Sequence, residues 1–511
     1  MKNLAALLIT VLAFVLTSCG SSPPQISSLP NPPATGVSAS PDHPNIVFVL
    51  TDDLAWPLVK YMPHVQALEK TGMTFTHYTV TDSLCCPSRA SIFTGRFPHD
   101  THVITNTPPN GGYAKFQQLH EDRSTFATSL FRAGYRNAFM GKYLNGYQPV
   151  ASATPIQQVI HGPYVPPGWT RWVGVGPGGY SAYGYRIADG HRMRQYGHSP
   201  RDYINDFLLR RSAHYIQSAS EHPDPFLLEV ATFSPHKPWI PAPQDKGTFA
   251  GIRYPRTPAF NKLPFPTPRW MVGRKPVDAR ILANINRDWE AQVEVVQSVD
   301  RLVAGIVATL KQVGELQNTD IVFSSDNGYH LGEHTLVSGK QTAYDTDIRV
   351  PLIVSGPGIP AGSVNTDMAQ NVDLRPTFEQ LAGAPTPSDV EGRSLVPLLH
   401  GDQVPWRSYA LIEHHRPRNL EHDPDHQGYA AGVPPSYVAI RSRTFLYVKY
   451  DTGDREYYDL VHDPYEMRDL GPSLSARKIA ALDHIVARLK HCHSQGSCWR
   501  AGVPAAPSTS P

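Results

Sequence analysis

Two adjacent cysteines, Cys85 and Cys86, open the most chemically suggestive stretch of the chain, SLCCPSRASIFTGR. Adjacent cysteines rarely bridge each other, and their spacing does not match a metal knuckle. Pro87 fits the first turn of a helix that Gly95 would end, which places Cys85 just before a helix N-terminus. Free N–H groups and the helix dipole favour negative charge there, and Arg89 lies one turn on. The stretch predicts an anion site with a nucleophile at its edge, where an ordinary cysteine would act as a thiolate; the alternative is a buried structural cysteine.

Oxygen-bearing side chains follow two apolar segments. Asp52 and Asp53 end NIVFVLTDD, and Asp326 and Asn327 follow DIVFSS. Carboxylate and amide oxygens suit hard cations such as Ca²⁺ or Mg²⁺, whereas Zn²⁺ more often recruits histidine or cysteine. Adjacent aspartates alone would fit a solvated turn, but two such endings favour a metal site.

Three more polar residues lie next to apolar segments. Lys142 follows NAFMG, His236 follows FLLEVATFSP, and Lys340 precedes VPLIVSGPG. Continuous apolar strands that alternate with helices indicate a parallel α/β sheet, whose strand carboxyl ends form the ligand crevice. We therefore expect Lys142 and His236 to converge with Asp52, Asp53, Asp326 and Asn327.

The remaining pattern defines the elements around that crevice. Valines and leucines at steps of three and four predict a helix between residues 286 and 314. Residues 162–186 and 238–275 are predicted to be long loops that could line a binding site or simply cover the surface. After about residue 400, strands with a turn at DTGD and a helix near 475–490 predict a smaller subdomain. The expected fold is α/β, a large mostly parallel sheet flanked by helices, with a C-terminal α+β subdomain containing an antiparallel sheet.

Composition and the N-terminus restrict the class of protein. The chain has 511 residues and a formal net charge of +2, which argues against a nucleic-acid partner. Residues 1–18 resemble a bacterial lipoprotein signal peptide, with Cys19 as the lipidated residue and residues 19–43 as a Ser/Pro-rich tether. This predicts export and a lipid anchor at the bacterial cell envelope; an ordinary secretory signal is the alternative.

Two cysteines near the C-terminus, Cys492 and Cys498, lie in KHCHSQGSCWR. Export would place them where disulfides persist, so a small bridged loop is expected. Two free thiols, or a zinc site that uses the flanking histidines, are the alternatives.

The motif CCPSRASIFTGR resembles the signature of type I, formylglycine-dependent sulfatases of the alkaline phosphatase superfamily. The segments PNIVFVLTDD, GKYLN, PHKPW, SSDNGYHLGEH, GKQTAYDTDIRVPLIVSGPG and YYDLVHDPYEMRDL also resemble that family, in family order, from residue 44 to about 470. SLCCPSRASIFTG, RFPHDTHV and GKYLN look most like the branch that contains N-acetylglucosamine-6-sulfatases. With the change of pattern after residue 400 and the C-terminal cysteines, this predicts a catalytic domain at 44–400, a C-terminal subdomain at 401–490, and a disulfide loop and tail at 491–511.

The resemblance also implies how residue 85 acts. In that family a maturation enzyme oxidises the first cysteine of Cys-x-Pro-x-Arg to Cα-formylglycine, and only Cys85 has Pro87 and Arg89 at the required positions. Cys86 is then a small packed residue. One oxygen of the hydrated aldehyde would attack sulfur in line with the departing alcohol, so that the sulfate ester moves to residue 85. The second hydroxyl would then lose its proton and expel sulfate, which restores the aldehyde.

By the same resemblance the other polar residues acquire roles. Lys142 and Arg89 would hold the hydrate, His236 and Lys340 would contact sulfate and protonate the leaving oxygen, and Asp326 could help to deprotonate the hydrate. The implied Ca²⁺ ligands, with Mg²⁺ as the alternative ion, are Asp52, Asp53, Cys85, Asp326 and Asn327.

One position departs from many arylsulfatases. Those enzymes carry a histidine two residues after the lysine matched by Lys142, where it is thought to act as the base in sulfate elimination; here the position holds Leu144. Asn145, His102 or the hydrate itself could compensate.

The resemblance favours a sulfated glycan, such as one containing N-acetylglucosamine 6-sulfate, with His414, His415 and His102 as candidate lining of the sugar pocket. A small sulfate ester, such as an aryl sulfate or choline sulfate, is another candidate substrate. Alternative functions are a broad arylsulfatase, a phosphonate or phosphate ester hydrolase on the same scaffold, and a catalytically silent lipoprotein that binds sulfated glycans.

Overall fold

A computed structural model describes residues 29–148, 163–417 and 423–503. The predicted signal peptide, the lipidation site Cys19 and the first part of the predicted tether lie outside these residues. Among the described helices, none combines the length and the apolar character needed to cross a bilayer.

A ten-stranded mixed sheet forms the centre of the molecule. Its strands, in spatial order, are β13 (Ser363–Asn365), β2 (Met73–Phe75), β12 (Leu352–Ser355), β9 (Thr319–Ser325), β1 (Asn45–Thr51), β8 (Phe226–Ala231), β4 (Arg136–Gly141), β5 (Arg171–Val175), β6 (Arg186–Asp189) and β7 (Arg192–Gln195). Small two-stranded pairs join β3 (Tyr78–Thr79) to β14 (Ala369–Gln370), and β10 (His330–Leu331) to β11 (Ser338–Gly339).

The five central strands β9, β1, β8, β4 and β5 are parallel, as the continuous apolar segments predict. Along β1, Ile46 and Phe48 pack into one apolar cluster while Val47 and Val49 pack into another, so both faces of the strand are buried. A strand covered on both faces has no polar alternation, which explains its sequence.

Helices cover the sheet and connect its strands. They are α1 (Pro63–Thr71), α2 (Cys85–Thr94), α3 (Pro98–Thr101), α4 (Gly112–Gln118), α5 (Phe126–Arg132), α6 (Ile204–Ala219), α7 (Ala279–Gln312), α8 (Asp345–Ile348), α9 (Leu374–Leu381), α10 (Val396–Leu399), α11 (Ala476–Lys490) and α12 (Gln495–Gly502). The predicted helix at 286–314 is α7, which begins earlier because the Asp278 side chain accepts from Ile281 N and caps it there.

Two predictions about the sheet are wrong in detail. The segment at 162–186, predicted to be a loop, contains strand β5, whose Trp172 is fully buried beside β4. Strand β12 runs antiparallel to β9 rather than parallel to it. The chain between them stays at the carboxyl edge of the sheet, where it places Lys340, and re-enters from that edge.

The C-terminal part forms a four-stranded antiparallel sheet of β15 (Ala410–His414), β16 (Tyr437–Arg441), β17 (Phe445–Tyr450) and β18 (Arg455–Asp459). The turn between β17 and β18 is DTGD. Helix α11 packs its Leu482 and Val486 onto this sheet, and a disulfide links Cys492 to Cys498 beyond it. The predicted domain boundaries remain predictions.

Candidate active site

Four neighbouring parallel strands deliver polar residues to one edge of the sheet. Asp326 and Asn327 follow β9, Asp52 and Asp53 follow β1, His236 follows β8 and Lys142 follows β4. Thr51 pairs with Ser325 in register, so the two acidic pairs leave the sheet side by side. The adjacency of the strands therefore brings together side chains up to 275 positions apart, since 327 and 52 bound the set.

Helix α2 carries Cys85 to this edge. The helix starts at Cys85 itself, not after it as the sequence predicts, because Ser88 N already bonds Leu84 O at 3.1 Å. Pro87 is thus the third helical residue, where its missing N–H costs nothing. The helix ends at Gly95, whose φ of 65° is left-handed and favours glycine.

The Cys85 thiol is fully buried among charged groups. Its Sγ lies 3.1 Å from Asp52 Oδ1 and 4.0 Å from Asp53 Oδ1, and Lys340 Nζ lies 2.9 Å from Sγ. Burial raises the pKa of the Cys85 thiol well above its usual range, and the carboxylates of Asp326, Asp425 and Asp52 raise it further. These surroundings disfavour the thiolate that the helix N-terminus alone would favour.

Arg89 lies one helical turn after Cys85 and is fully buried. Its Nε donates to Asp326 Oδ2 at 2.7 Å, and its Nη1 donates to the carbonyl oxygen of Lys142 at 2.8 Å. Burial tends to raise the pKa of Asp326, but Arg89 and the two site lysines outweigh it and lower the pKa to about 2.

The two predicted lysines pair with different aspartates. Lys142 Nζ lies 2.6 Å from Asp52 Oδ2, and Lys340 Nζ lies 2.6 Å from Asp53 Oδ1. Burial would lower the pKa of each lysine, but the carboxylates outweigh it and raise both pKa values well above the usual range. Both ammonium groups therefore stay charged at the buried edge of the sheet.

His236 is buried against a residue that the sequence did not single out, Asp425. His236 Nε2 lies 2.8 Å from Asp425 Oδ1 and 3.8 Å from Asp53 Oδ2. The same Asp425 oxygen lies 2.8 Å from Lys340 Nζ. Asp425 belongs to the segment before β16, far from the apolar strands whose ends marked the other residues, and only the acidic spacing of HDPD could have suggested it.

Tyr180, Asn106 and Cys86 complete the immediate surroundings. The Tyr180 ring centroid lies 5.1 Å from Lys142 Nζ and 4.6 Å from the His236 ring centroid. Tyr180 lies in the 162–186 segment, which the sequence marked as a potential lining of a site. The Asn106 side chain accepts from Cys86 N at 2.9 Å and donates to Asp425. The Cys86 side chain is buried within the apolar cluster under the sheet edge.

One group of side chains meets the requirements of a cation. Ligand atoms of Asp52, Asp53, Cys85 and Asp326 all lie within 4.8 Å of one another. Asp53 Oδ2 and Asn327 Oδ1 are buried and have no hydrogen-bond partner among the described residues. Unpaired buried oxygens are costly unless a cation or proton compensates them, so these residues fit a hard metal ion.

The candidate replacements for the missing histidine differ in position. Leu144 is buried in the apolar cluster, whereas His102 is exposed at the end of α3. Asn145 is buried, its Nδ2 lies 3.5 Å from the Tyr180 hydroxyl, and its Oδ1 has no partner among the described residues. Of these three, Asn145 contacts a residue of the site.

The predicted sugar-pocket histidines His414 and His415 lie at a cavity, and their role stays a prediction. His414 and His415 line a cavity of about 470 Å³ together with Tyr437 and Lys449. A different cavity, of about 760 Å³, lies beside the site and is lined by Gln341, His426 and Gln427, the chain neighbours of Lys340 and Asp425.

Two family models match the chain. The sulfatase model matches residues 44–384, and the model of the N-sulphoglucosamine sulphohydrolase C-terminal region matches residues 332–494. The human N-acetylglucosamine-6-sulfatase is 31% identical over 501 residues, covering 92% of this chain and 88% of the relative.

Solved structures share the fold. BT4656 in complex with its substrate D-glucosamine-2-N,6-O-disulfate gives a TM-score of 0.70 at 23% identity, covering 87% of this chain and 97% of that chain. The phosphonate monoester hydrolase SpPMH from Silicibacter pomeroyi gives 0.67 at 20% identity, covering 88% and 96%. With the family model spanning most of the chain and a long relative above 30% identity, the protein belongs to the sulfatase family, the sulfuric ester hydrolases within the alkaline phosphatase superfamily.

Proposed function

We propose that this protein hydrolyses sulfate monoesters of sugars, with N-acetylglucosamine 6-sulfate in a glycan as the leading substrate. The observation that carries the proposal is the burial of Cys85 at the start of α2, among three carboxylates and two lysines. The human N-acetylglucosamine-6-sulfatase, similar over most of both chains, supports this choice of sugar.

Residue 85 would act as formylglycine, whose hydrate supplies a geminal diol in place of the thiol. The position suits an uncharged residue, because burial and the nearby carboxylates oppose a thiolate there. Arg89 pairs with Asp326 and Lys142 pairs with Asp52, two carboxylates of the cluster around residue 85, so both cations are placed to hold a hydrate in one orientation. We assign these two residues to positioning residue 85.

A divalent cation, Ca²⁺ first and Mg²⁺ second, would be held by Asp52, Asp53, Asp326, Asn327 and residue 85. When bound, it would supply positive charge next to the sulfuryl oxygens. The unpartnered oxygens of Asp53 and Asn327 support this ligand set, because each is buried without a donor among the described residues.

His236 and Lys340 are the candidates for proton transfer and sulfate binding. Burial lowers the pKa of His236, but Asp53, Asp52 and Asp425 outweigh it and raise the pKa above its usual value. The raised pKa favours the protonated imidazole, which can donate to a departing alcohol oxygen. Lys340 keeps its charge for the sulfuryl oxygens, whose negative charge persists through the transition state.

Cys19 and the segment before it support export with lipid attachment. A sulfatase tethered at the cell envelope would meet glycans outside the cell, and formylglycine would require a maturation enzyme of the host. Both statements rest on the sequence alone.

The test combines mass and kinetics on protein from its native host. Intact-peptide mass at residue 85 should show the aldehyde, and kcat/KM should be higher for N-acetylglucosamine 6-sulfate than for an aryl sulfate or an aryl phosphonate. An unmodified thiol with retained glycan binding would favour a silent binding protein. Cleavage of the aryl sulfate alone would overturn the sugar substrate. A preference for the phosphonate would favour a second candidate function, a phosphonate ester hydrolase. The phosphonate monoester hydrolase SpPMH, which shares the fold, is the reason to test it.

A further inference from the structure

We propose that the chain carries a second divalent-cation site, of the Zn²⁺ type, where the C-terminal disulfide loop meets helix α3. Its ligands are His99, Asp100, Glu391 and His493. Each offers one ligand atom, and these four atoms all lie within 4.8 Å of one another. Two imidazoles and two carboxylates are ligands that Zn²⁺ accepts readily. None of the four residues belongs to the group around Cys85.

Three separate segments build this cluster. His99 and Asp100 lie in α3, Glu391 lies in the segment before α10, and His493 lies inside the loop closed by Cys492 and Cys498. Glu391 N bonds Gly95 O at 2.9 Å, which fixes that segment against the end of α2. The cluster therefore joins the end of the chain to the part that carries the candidate nucleophile.

Glu391 is the buried member of the cluster, with 2% of its surface exposed. Its Oε2 accepts from Phe97 N at 2.5 Å, while its Oε1 is buried and has no hydrogen-bond partner among the described residues. The Asp100 carboxyl lies within hydrogen-bonding reach. Two carboxyl groups in contact require a shared proton or a cation between them.

His99 has an oxygen acceptor at each of its ring nitrogens. Its Nδ1 lies 2.7 Å from Glu413 Oε2, so Nδ1–H donates to that carboxylate. Its Nε2 lies 3.0 Å from the carbonyl oxygen of Cys492. A neutral imidazole would then face an oxygen with its lone pair. A carboxylate that holds one histidine nitrogen is the usual support for metal binding by the other.

His493 places the cluster within reach of solvent. Its Nδ1 lies 2.8 and 2.9 Å from the two Asp100 oxygens, and 63% of its side chain is exposed. Two histidines, His99 and His493, thus lie beside three carboxylates, which are those of Asp100, Glu391 and Glu413. Arg96 is paired with Glu121 and Asp389 rather than with a member of the cluster. A bound dication would balance this excess of negative charge.

The sequence alternatives for Cys492 and Cys498 included a zinc site at these cysteines with the flanking histidines. With both sulfurs in the disulfide, the cysteines are not ligands, and the histidine between them joins carboxylates instead. His491, on the other side of Cys492, is exposed and is not part of the cluster, so it provides a matched control.

The experiment measures zinc bound per chain after chelation, dialysis and addition of ZnCl₂ in excess Ca²⁺. Full-length wild type, His493→Ala, Glu391→Gln and His491→Ala are compared by elemental analysis and by the zinc-induced change in melting temperature. Wild type and His491→Ala should retain one zinc ion more than the other two variants. At a zinc concentration 100 times Kd, the first two should gain about 2.7 kcal/mol of stability. Zinc content that is equal in His493→Ala and wild type overturns the proposal, as does a wild type that retains no zinc.

A folding defect is distinguished within the same experiment. His493 is exposed, so its alanine variant should melt at the wild-type temperature in the absence of zinc and should hydrolyse an aryl sulfate at the wild-type rate. Loss of zinc together with normal melting and activity supports the site. Normal zinc content in a folded Glu391→Gln variant contradicts it.

Discussion

His236 Nε2 and Asp425 Oδ1 lie 2.8 Å apart, and both side chains are buried at the edge where Cys85 starts its helix. The same carboxylate oxygen contacts Lys340 Nζ at 2.8 Å. Asp425 thus holds the two residues to which proton donation and sulfate binding are assigned. It is a positioning residue, since it acts through both of them.

Replacing Asp425 should alter the pH profile of the reaction. Asp425→Asn removes one carboxylate that raises the pKa of His236, so the alkaline limb of kcat should move to lower pH. We expect kcat to fall about tenfold to a hundredfold, part of the roughly 10²–10⁴ that a positioned general acid contributes. Asp245→Asn is the control, because Asp245 is a buried aspartate that pairs with Arg301 rather than with His236 or Asp425. An unshifted alkaline limb in Asp425→Asn would show that Asp425 does not set the protonation of His236.

The adjacent cysteines should behave in opposite ways. Cys85→Ala should lower kcat/KM for a sulfate ester by at least about 10³-fold, since loss of a nucleophile usually costs that much or more. The kcat/KM of Cys86→Ala should stay within about tenfold of wild type, because Cys86 packs in the apolar cluster and offers no group to the site. The loss of its buried sulfur should lower the free energy of unfolding by about 1 kcal/mol. Kinetics with thermal melting separates the two effects. Equal losses in both variants would argue against residue 85 as the nucleophile.

Metal removal should destabilise the protein as well as inactivate it. Asp53 Oδ2 and Asn327 Oδ1 have no hydrogen-bond partner within the described part of the chain, so chelation with EDTA should lower the melting temperature and Ca²⁺ should restore it. Asp53→Asn should weaken this Ca²⁺-dependent shift in differential scanning fluorimetry.

The matched control for that variant is Asp245→Asn. Asp245 is a buried aspartate paired with Arg301, away from the site. Its loss should lower the melting temperature but leave the Ca²⁺-dependent shift intact. Identical Ca²⁺ responses in the two variants would remove Asp53 from the ligand set.

Glu229 predicts a pH dependence of stability. It lies in β8, fully buried, with both carboxylate oxygens unpartnered among the described residues, and burial raises its pKa from 4.5 to about 8, against an opposing effect of Arg89. The folded state therefore holds a proton that the unfolded state releases above pH 4.5. Its stabilising effect is present below that pH and is lost as the pH rises toward 8.

Glu229→Gln should accordingly flatten the change in unfolding free energy between pH 5 and pH 8, since about 1.4 kcal/mol per pH unit comes from one such group. Urea unfolding at several pH values measures it. Glu221→Gln, at an exposed glutamate, should keep the wild-type slope. A slope in Glu229→Gln equal to that of wild type would show that Glu229 is ionised in the folded protein.

The sequence marks residues that follow buried strands. Asp52, Asp326 and Lys142 each stand directly after a run of apolar residues, and parallel strands end at one edge, so their convergence could be predicted before any coordinates were known. The same holds for Cys85, because proline and the later glycine mark the start and end of its helix.

Only the tertiary structure could identify the site residues that do not follow an apolar strand. Asp425 and Tyr180 lie in irregular segments, and no periodicity links either one to His236. The direction of β12 could not be predicted either, because an apolar strand has the same sequence pattern whether it lies parallel or antiparallel to its neighbour. Glu391 and His493 meet only because the end of the chain packs against α3.

The sequence by itself determined the family, the parallel centre of the sheet and the residues at its strand ends, since these depend on local patterns and short motifs. Only the tertiary structure decided which charges meet: that Lys340 reaches both Cys85 and Asp425, and that Asp425 reaches His236. The physical reason is that the energy between two charges depends on their distance in space, and separation along the chain does not predict that distance.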